Sequence, residues 1–272
     1  MEFIKKEKKR ILVLGLIMVL QLIAASCFCV RKQGFHYDEY YSYYSSNSTY
    51  GLVPTDREWK EGAEIRSEFV VEEGEGFQYG KVKLMQSYDV HPPLYYMLLH
   101  TVCSLFPGTF TKWTGLGLNL FFFAIAYLLL ALIARKLSGG SLLLTLSACL
   151  LFGFQPGVIS GITFIRMYML LTVWCMAVVL WHILRFEKEL FLTPGAAAGL
   201  MVLVFLGFLT HYYFAVFLFF AAAFTCLWLW WGKKQLKTAL YYAITVCTGM
   251  GLAVLYYPSC LGHIFRGYRG TE

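Results

Sequence analysis

Apolar residues in this chain neither alternate nor return at every third or fourth position; they fall in long runs broken by short polar stretches. Each run approaches the roughly 20 residues that a helix needs to cross about 30 Å of hydrocarbon. The pattern predicts helical spans over Ile11 to Val30, Trp113 to Leu132, Ser141 to Ser160, Met167 to Phe186, Leu190 to Leu209, Tyr212 to Trp231 and Thr238 to Tyr257. Length alone forces the break at Thr210-His211-Tyr212, because no proline marks it and the stretch from Gly195 to Trp231 is too long for one crossing. The expected fold class is an all-α polytopic membrane protein, with about seven transmembrane helices and a large first outer loop carrying short interfacial helices.

Residues 1–10 form the expected cytoplasmic N-terminus, 11–30 the first span, 31–112 the outer loop, 113–257 six further spans, and 258–272 an outer stub of a longer protein. The first run is too long for the 7–15-residue apolar core of a cleaved signal peptide, so it reads as a signal anchor. Acidic residues from Glu58 through Glu75 keep the loop out of lipid, and its low apolar content predicts that it lies on the membrane domain without a comfortable core of its own. Near its end, residues 93–106 would make a helix of roughly 21 Å at about 1.5 Å per residue, short for a crossing. With Pro92-Pro93 before it and Pro107-Gly108 after it, this segment reads as interfacial or re-entrant.

Composition agrees with a membrane class: 58% of residues are hydrophobic and only 14% charged, against roughly 25% charged in soluble domains. The net charge of +7 would suggest nucleic acid if it formed one basic face, but the cations lie in short clusters between apolar runs, so nucleic acid is excluded as a partner. Those clusters test the topology. Lys5 to Arg10, Arg135-Lys136, Arg185 with Lys188, and Lys233 to Lys237 all fall on one side in the seven-span reading, the cytoplasmic side by the positive-inside rule. Counting residues 93–106 as a full span would turn the last three clusters outward. Cys103, Cys149, Cys175, Cys226 and Cys247 sit in apolar runs without zinc-type spacing and read as packing residues.

In this topology four polar constellations meet the outer face: His36-Tyr37-Asp38-Glu39, Asp89-Val90-His91-Pro92-Pro93, Arg166-Met167-Tyr168 and Thr210-His211-Tyr212-Tyr213. Adjacent Asp38 and Glu39 project about 100° apart on a helix, so only one can face a reacting atom. As a catalytic pair, Asp38 would be the general base and Glu39 its support; as a bland pair, they would be solvated acids at a membrane surface. The tyrosines around them could stack on sugar rings, pack under the loop or belong to an interfacial aromatic belt. Asp89 and His91, beside a rigid proline pair, could shape a cavity mouth or hold a divalent metal. Arg166 could grip phosphate with its fork of donors or snorkel to the interface. His211 could bind phosphate, take a proton, ligate metal or hydrogen-bond within its turn. Asn47-Ser48-Thr49 is formally a glycosylation sequon.

The segments "HYDEYYSYY", "DVHPPLYYMLLH", "FIRMYMLL" and "LTHYYF" together resemble the lipid-linked-sugar glycosyltransferases of the GT-C superfamily. The likeness is to the bacterial branch related to protein O-mannosyltransferases and the aminoarabinose transferase of lipid A. It covers essentially the whole chain as the N-terminal seven-span module of that family, whose members usually continue past the segment resembling "YYPSCLGHIFRGYRG". The resemblance implies a polyprenyl-phosphate sugar donor, membrane lipid around the site, and a protein, glycan or lipid acceptor. It further implies inverting transfer with Asp38 and Glu39 catalytic, Arg166 and His211 at the donor phosphate, and Asp89, His91, Tyr168 and Tyr212 lining the pocket. The rival readings are a flippase or transporter for lipid-linked sugars and a non-catalytic membrane assembly protein. A flippase would want internal repeats and charged residues along a mid-membrane path, and neither stands out here.

Overall fold

The computed structural model describes residues 2–48 and 59–266, with side chains from Glu7 onward. Among these, thirteen α-helices and no strand are present: α1 Glu2–Arg31, α2 Tyr37–Asn47, α3 Gly62–Ser67, α4 Tyr79–Tyr88, α5 Leu94–Ser104, α6 Lys112–Leu137, α7 Leu142–Phe154, α8 Pro156–Thr163, α9 Tyr168–Phe186, α10 Pro194–Phe208, α11 Tyr213–Leu227, α12 Leu236–Tyr256 and α13 Ser259–Phe265. Glu58, Thr49 of the sequon and residues 267–272 lie outside the described residues.

Among the described residues, five helical segments are long and apolar enough to cross a membrane: Glu7–Arg31, α6, α9, Tyr213–Gly232 and α12. This is a membrane protein. The remaining two expected spans take other forms. In place of one straight helix over Ser141 to Ser160, α7 and α8 meet at a 52° bend; Pro156 has no N–H to continue the ladder and opens a new helix at its first position. If that bent pair counts as one span there are six. In place of Leu190 to Leu209, α10 begins only at Pro194, with Thr193 capping it by accepting from the Ala196 N–H at 3.3 Å. Its 15 residues reach roughly 22 Å at about 1.5 Å per residue.

The chain divides into two compact units. The first holds residues 1–36 and 112–183, that is α1, α6, α7, α8 and most of α9. Its helices are joined by polar side chains reaching neighbouring backbones within the apolar region. Gln21 on α1 donates to the Cys149 and Leu150 carbonyls of α7, both at 2.9 Å. Tyr127 on α6 donates to Leu14 O at 2.8 Å, and Asn119 to Ile162 O at 3.2 Å and Phe164 O at 2.8 Å. Such bonds serve as glue where lipid offers the helices no hydrophobic driving force to associate. Gly153 makes room for Gln21, whose amide atoms would stand 2.1 Å from any Cβ there.

The second unit holds residues 37–111 and 184–272, bringing α2 to α5 together with α10 to α13. Here α10 packs on α12, and at Gly249 a Cβ would meet the Met201 carbonyl at 2.9 Å, so the two backbones approach closely. The loop between α1 and α6 differs from expectation, because it does form an interior. Tyr43, Tyr44, Val82, Tyr95, Tyr96 and Leu99 are all at most 1% exposed. The shortage of aliphatic residues is met by aromatic ones: Tyr43 stands edge-on to Phe110 and Tyr44 to Phe69. Each such ring removes more apolar surface from water than an aliphatic side chain does. One acid of the polar stretch enters this interior as well, since buried Glu68 is paired with Lys60 at 2.9 Å.

The helix expected over residues 93–106 is present as α5, packed on α2 and α4. Its first N–H, on Leu94, donates to Leu209 O at 3.0 Å. That bond ties the proline pair before α5 to the break after α10, which is where the site lies.

Candidate functional site

Two of the four constellations meet in the second unit. Asp89 follows α4 and His91 follows it by two residues, with Nδ1 of His91 donating to Oδ2 of Asp89 at 2.9 Å. The carboxylate fixes the imidazole's orientation and turns Nε2 to the opposite side of the ring. His211, in the short break between α10 and α11, stands with its ring centroid 6.0 Å from that of His91, at 69°. Its Nδ1 accepts the Tyr213 backbone N–H at 3.0 Å, so in the neutral form its proton is on Nε2. Gly207 enables the break: a Cβ at that position would lie 2.4 Å from the Phe214 ring, which folds back over the end of α10.

Next to this pair, Tyr212 shares a 2.9 Å hydrogen bond with Nδ1 of His263, and Nε2 of His263 is 3.1 Å from Ser87 O. With Nε2–H donating to that carbonyl, Nδ1 accepts from the tyrosine, a complete neutral relay linking α4, the α10–α11 break and α13. Tyr257, at 1% exposure, stands edge-on to His263, and its hydroxyl is buried without a hydrogen-bond partner among the described residues. Asp89 is within electrostatic reach of both phenols. The cluster therefore combines one carboxylate, three imidazoles and two phenols drawn from three separated segments.

Comparison with family models, curated proteins and solved structures gives no match.

Asp38 and Glu39 occupy the first turn of α2 in the same unit, where acidic side chains suit the helix N-terminus. Their neighbourhoods differ: Glu39 is fully buried and Asp38 half-buried, so of the two it is Asp38 that keeps access to solvent. Among the tyrosines around them, Tyr43 and Tyr44 pack inside the loop, while Tyr37 and Tyr40 are exposed, Tyr37 sharing a 2.8 Å hydroxyl contact with Tyr41. His36 belongs to the first unit, edge-on to Phe164 at 5.3 Å.

Arg166 and Tyr168 also belong to the first unit. Arg166 is 5% exposed, in the turn between α8 and α9 whose Phe164 carbonyl is held by Asn119. Tyr168 opens α9, exposed, its ring stacked on Phe164 at 6.1 Å.

Among the described residues no three His, Cys, Asp or Glu side chains are grouped so as to hold a metal ion. Asp89 and His91 are instead partners of one another. Sequence reasoning misses His263, Tyr257 and Ser87. His263 pairs with a tyrosine 51 positions away, a separation that leaves no periodic trace, and the one available signal is a histidine soon after the last apolar run.

Proposed function

We propose that the chain is an integral membrane glycosyltransferase that moves a sugar from a polyprenyl-phosphate donor to a protein, glycan or lipid acceptor at the non-cytoplasmic membrane face. The observation that carries this reading is the meeting of Asp89–His91 with His211 and the Tyr212–His263 relay at the ends of apolar helices. A polar, aromatic, partly buried cluster there fits a sugar whose lipid tail stays in the bilayer. In this reading α7 with α8 counts as one crossing and α10 as a short one, which gives seven and keeps the basic clusters on the cytoplasmic side.

The reaction is a single displacement. The acceptor hydroxyl gives its proton to the Asp38 carboxylate as its oxygen bonds to the anomeric carbon, and the carbon–oxygen bond to phosphate breaks with the electron pair leaving on the phosphate. Attack opposite the leaving group inverts the anomeric centre. A phosphate leaves without a strong general acid, so cationic and hydrogen-bonding groups suffice to stabilise it; in the second unit His211 takes that role. Glu39 supports Asp38, while Asp89, His91 and Tyr212 shape the pocket.

The test is transfer of a radiolabelled sugar from polyprenyl-phosphate donors in membranes containing the protein, wild type against Asp38→Asn. Transfer by the wild type and its loss in the variant are expected. A folded wild-type protein inactive with a broad donor set would overturn the enzyme reading in favour of a flippase or an assembly protein.

A further inference from the structure

Beside the site, two buried side chains of the second unit carry polar atoms with no hydrogen-bond partner among the described residues: both amide atoms of Gln86 and the hydroxyl of Tyr257. Gln86 is fully buried and Tyr257 1% exposed. Gln86 stands in the last turn of α4, where its carbonyl accepts the Asp89 N–H at 3.1 Å. That bond spans three residues, as in a 3₁₀ turn, so the Gln86 and Asp89 side chains leave α4 on the same side. The Tyr257 phenol is within electrostatic reach of the Asp89 carboxylate and edge-on to His263, whose Nε2 lies 3.1 Å from the carbonyl of Ser87, next to Gln86. The unsatisfied amide and phenol thus flank one carboxylate. We infer that Gln86 and Tyr257 bind the ring hydroxyls of a sugar, admitted where α4 and α13 meet.

Chemistry selects the ligand. An amide offers both donors and an acceptor, and a phenol donates and accepts, so the groups that meet them must also do both. Neighbouring hydroxyls on a sugar ring do so at a fixed spacing. An anion is disfavoured beside the Asp89 carboxylate, a cation cannot accept from the Gln86 N–H, and an apolar group would leave all three polar atoms unsatisfied, a cost that native structures rarely carry. Half-buried Asp89, His91, Tyr212 and His263 keep the surrounding cluster open to the surface. The inference rests on the proposed function for the class of ligand, and adds to it the groups that grip the sugar.

The test is thermal unfolding of the full chain in a detergent without a sugar head, with undecaprenyl phosphate, the same lipid carrying glucose, mannose or arabinose, or the methyl glycosides of those sugars added at equal concentration. A sugar-bearing lipid should raise the midpoint above the value reached with the bare lipid. Gln86→Leu and Tyr257→Phe should each need about tenfold more of it for the same excess, with the response to the bare lipid unchanged. A shift from the methyl glycosides, removed by the same variants, would give these hydroxyl contacts to a glycan acceptor in place of the donor. Without ligand both variants should unfold at or above the wild-type midpoint, because an apolar replacement removes an unsatisfied group. A lower ligand-free midpoint would make both side chains structural, bridged by ordered water, and overturn the inference. No added shift from any sugar-bearing probe, or an unchanged sugar response in a folded variant, would overturn it as well. Sugar binding that depends on Gln86 and Tyr257 with no transfer would sink the enzyme reading alone, and transfer undiminished in both variants would sink this inference alone.

Discussion

The two units use polar side chains in opposite ways. In the first, Gln21, Asn119 and Tyr127 reach from one apolar helix to the backbone of another; none of these side chains ionises at ordinary pH, and each bond joins two helices. In the second, the polar groups stand in the breaks and at the helix ends, they are titratable, and they bond to one another: Asp89 to His91 and Tyr212 to His263. A polar group used as glue needs only a carbonyl, which every helix supplies. A group used for chemistry must keep a face toward a substrate, so it belongs where helices stop. The contrast separates residues whose loss should cost stability from those whose loss should cost activity.

The largest effect should come from the second unit's acids. Asp38→Asn is expected to lower sugar transfer by about a hundredfold or more, the usual scale for loss of a general base, while the thermal midpoint stays near that of wild type. Asp89→Asn should lower transfer by about tenfold, by releasing the orientation of His91. A variant that lost its fold together with its transfer would place that acid among the structural residues and break the contrast.

Gly249→Leu comes next, and it tests where the second unit is purely structural. The added side chain meets the Met201 carbonyl and Val204 on α10, and a backbone atom cannot move aside as a flexible side chain would. A loss of about 3 kcal/mol is expected, seen as a lower midpoint in detergent. Gly251, where an added Cβ would meet nothing within 4 Å, is the control: Gly251→Ala should leave the midpoint within about 0.5 kcal/mol of wild type or raise it slightly.

For the first unit, Asn119→Leu should cost about 1–2 kcal/mol, the range for a hydrogen bond between membrane helices. It is a sharper probe than Gln21→Leu, since Asn119 holds the carbonyls that end α8. If transfer fell with no change in midpoint, the first unit's polar residues would be functional and the distinction would fail.

Much of this arrangement is legible in the sequence because it is local. Unbroken apolar runs report the helices, Pro92-Pro93 and Pro107-Gly108 bracket α5, and length places the break at Thr210 to Tyr212. Pro156 is equally visible, but it stands inside a continuous apolar run, where hydropathy outweighs its backbone consequence and suggests one straight span. The meeting of Asp89 and His91 with His211 is visible beforehand only as a shared membrane side. The contact itself depends on the Leu94–Leu209 backbone bond and on the space that Gly207 leaves for Phe214. The Tyr212–His263 relay and the aromatic interior of the loop depend on partners far apart in sequence, where neither periodicity nor spacing carries information.

The smallest effect tests whether every imidazole in the second unit is chemical. His100, on α5 and 1% exposed, accepts the Gln78 N–H at Nε2 (3.0 Å) and faces the Asn47 side-chain Oδ1 with Nδ1 (3.2 Å). It is therefore a neutral ring with its proton on Nδ1. Burial, reinforced by the charge of Lys81, holds its pKa below the usual imidazole value, and the Ser46 carbonyl and Glu75 oppose this only in part. The unfolded chain thus binds a proton more readily than the folded one, so the contribution to stability is complete above the ordinary histidine pKa near 6.5 and is lost as pH falls toward the folded value. Protonation would also place an N–H against the Gln78 N–H. The midpoint of the wild type should fall between pH 7.5 and 5.5 by more than that of His100→Gln, which has no imidazole to titrate. Because every other histidine is common to both proteins, the difference isolates His100. Parallel curves would mean that His100 does not titrate in this window, and a fall in transfer without a fall in midpoint would move it from the loop's interior to the chemistry.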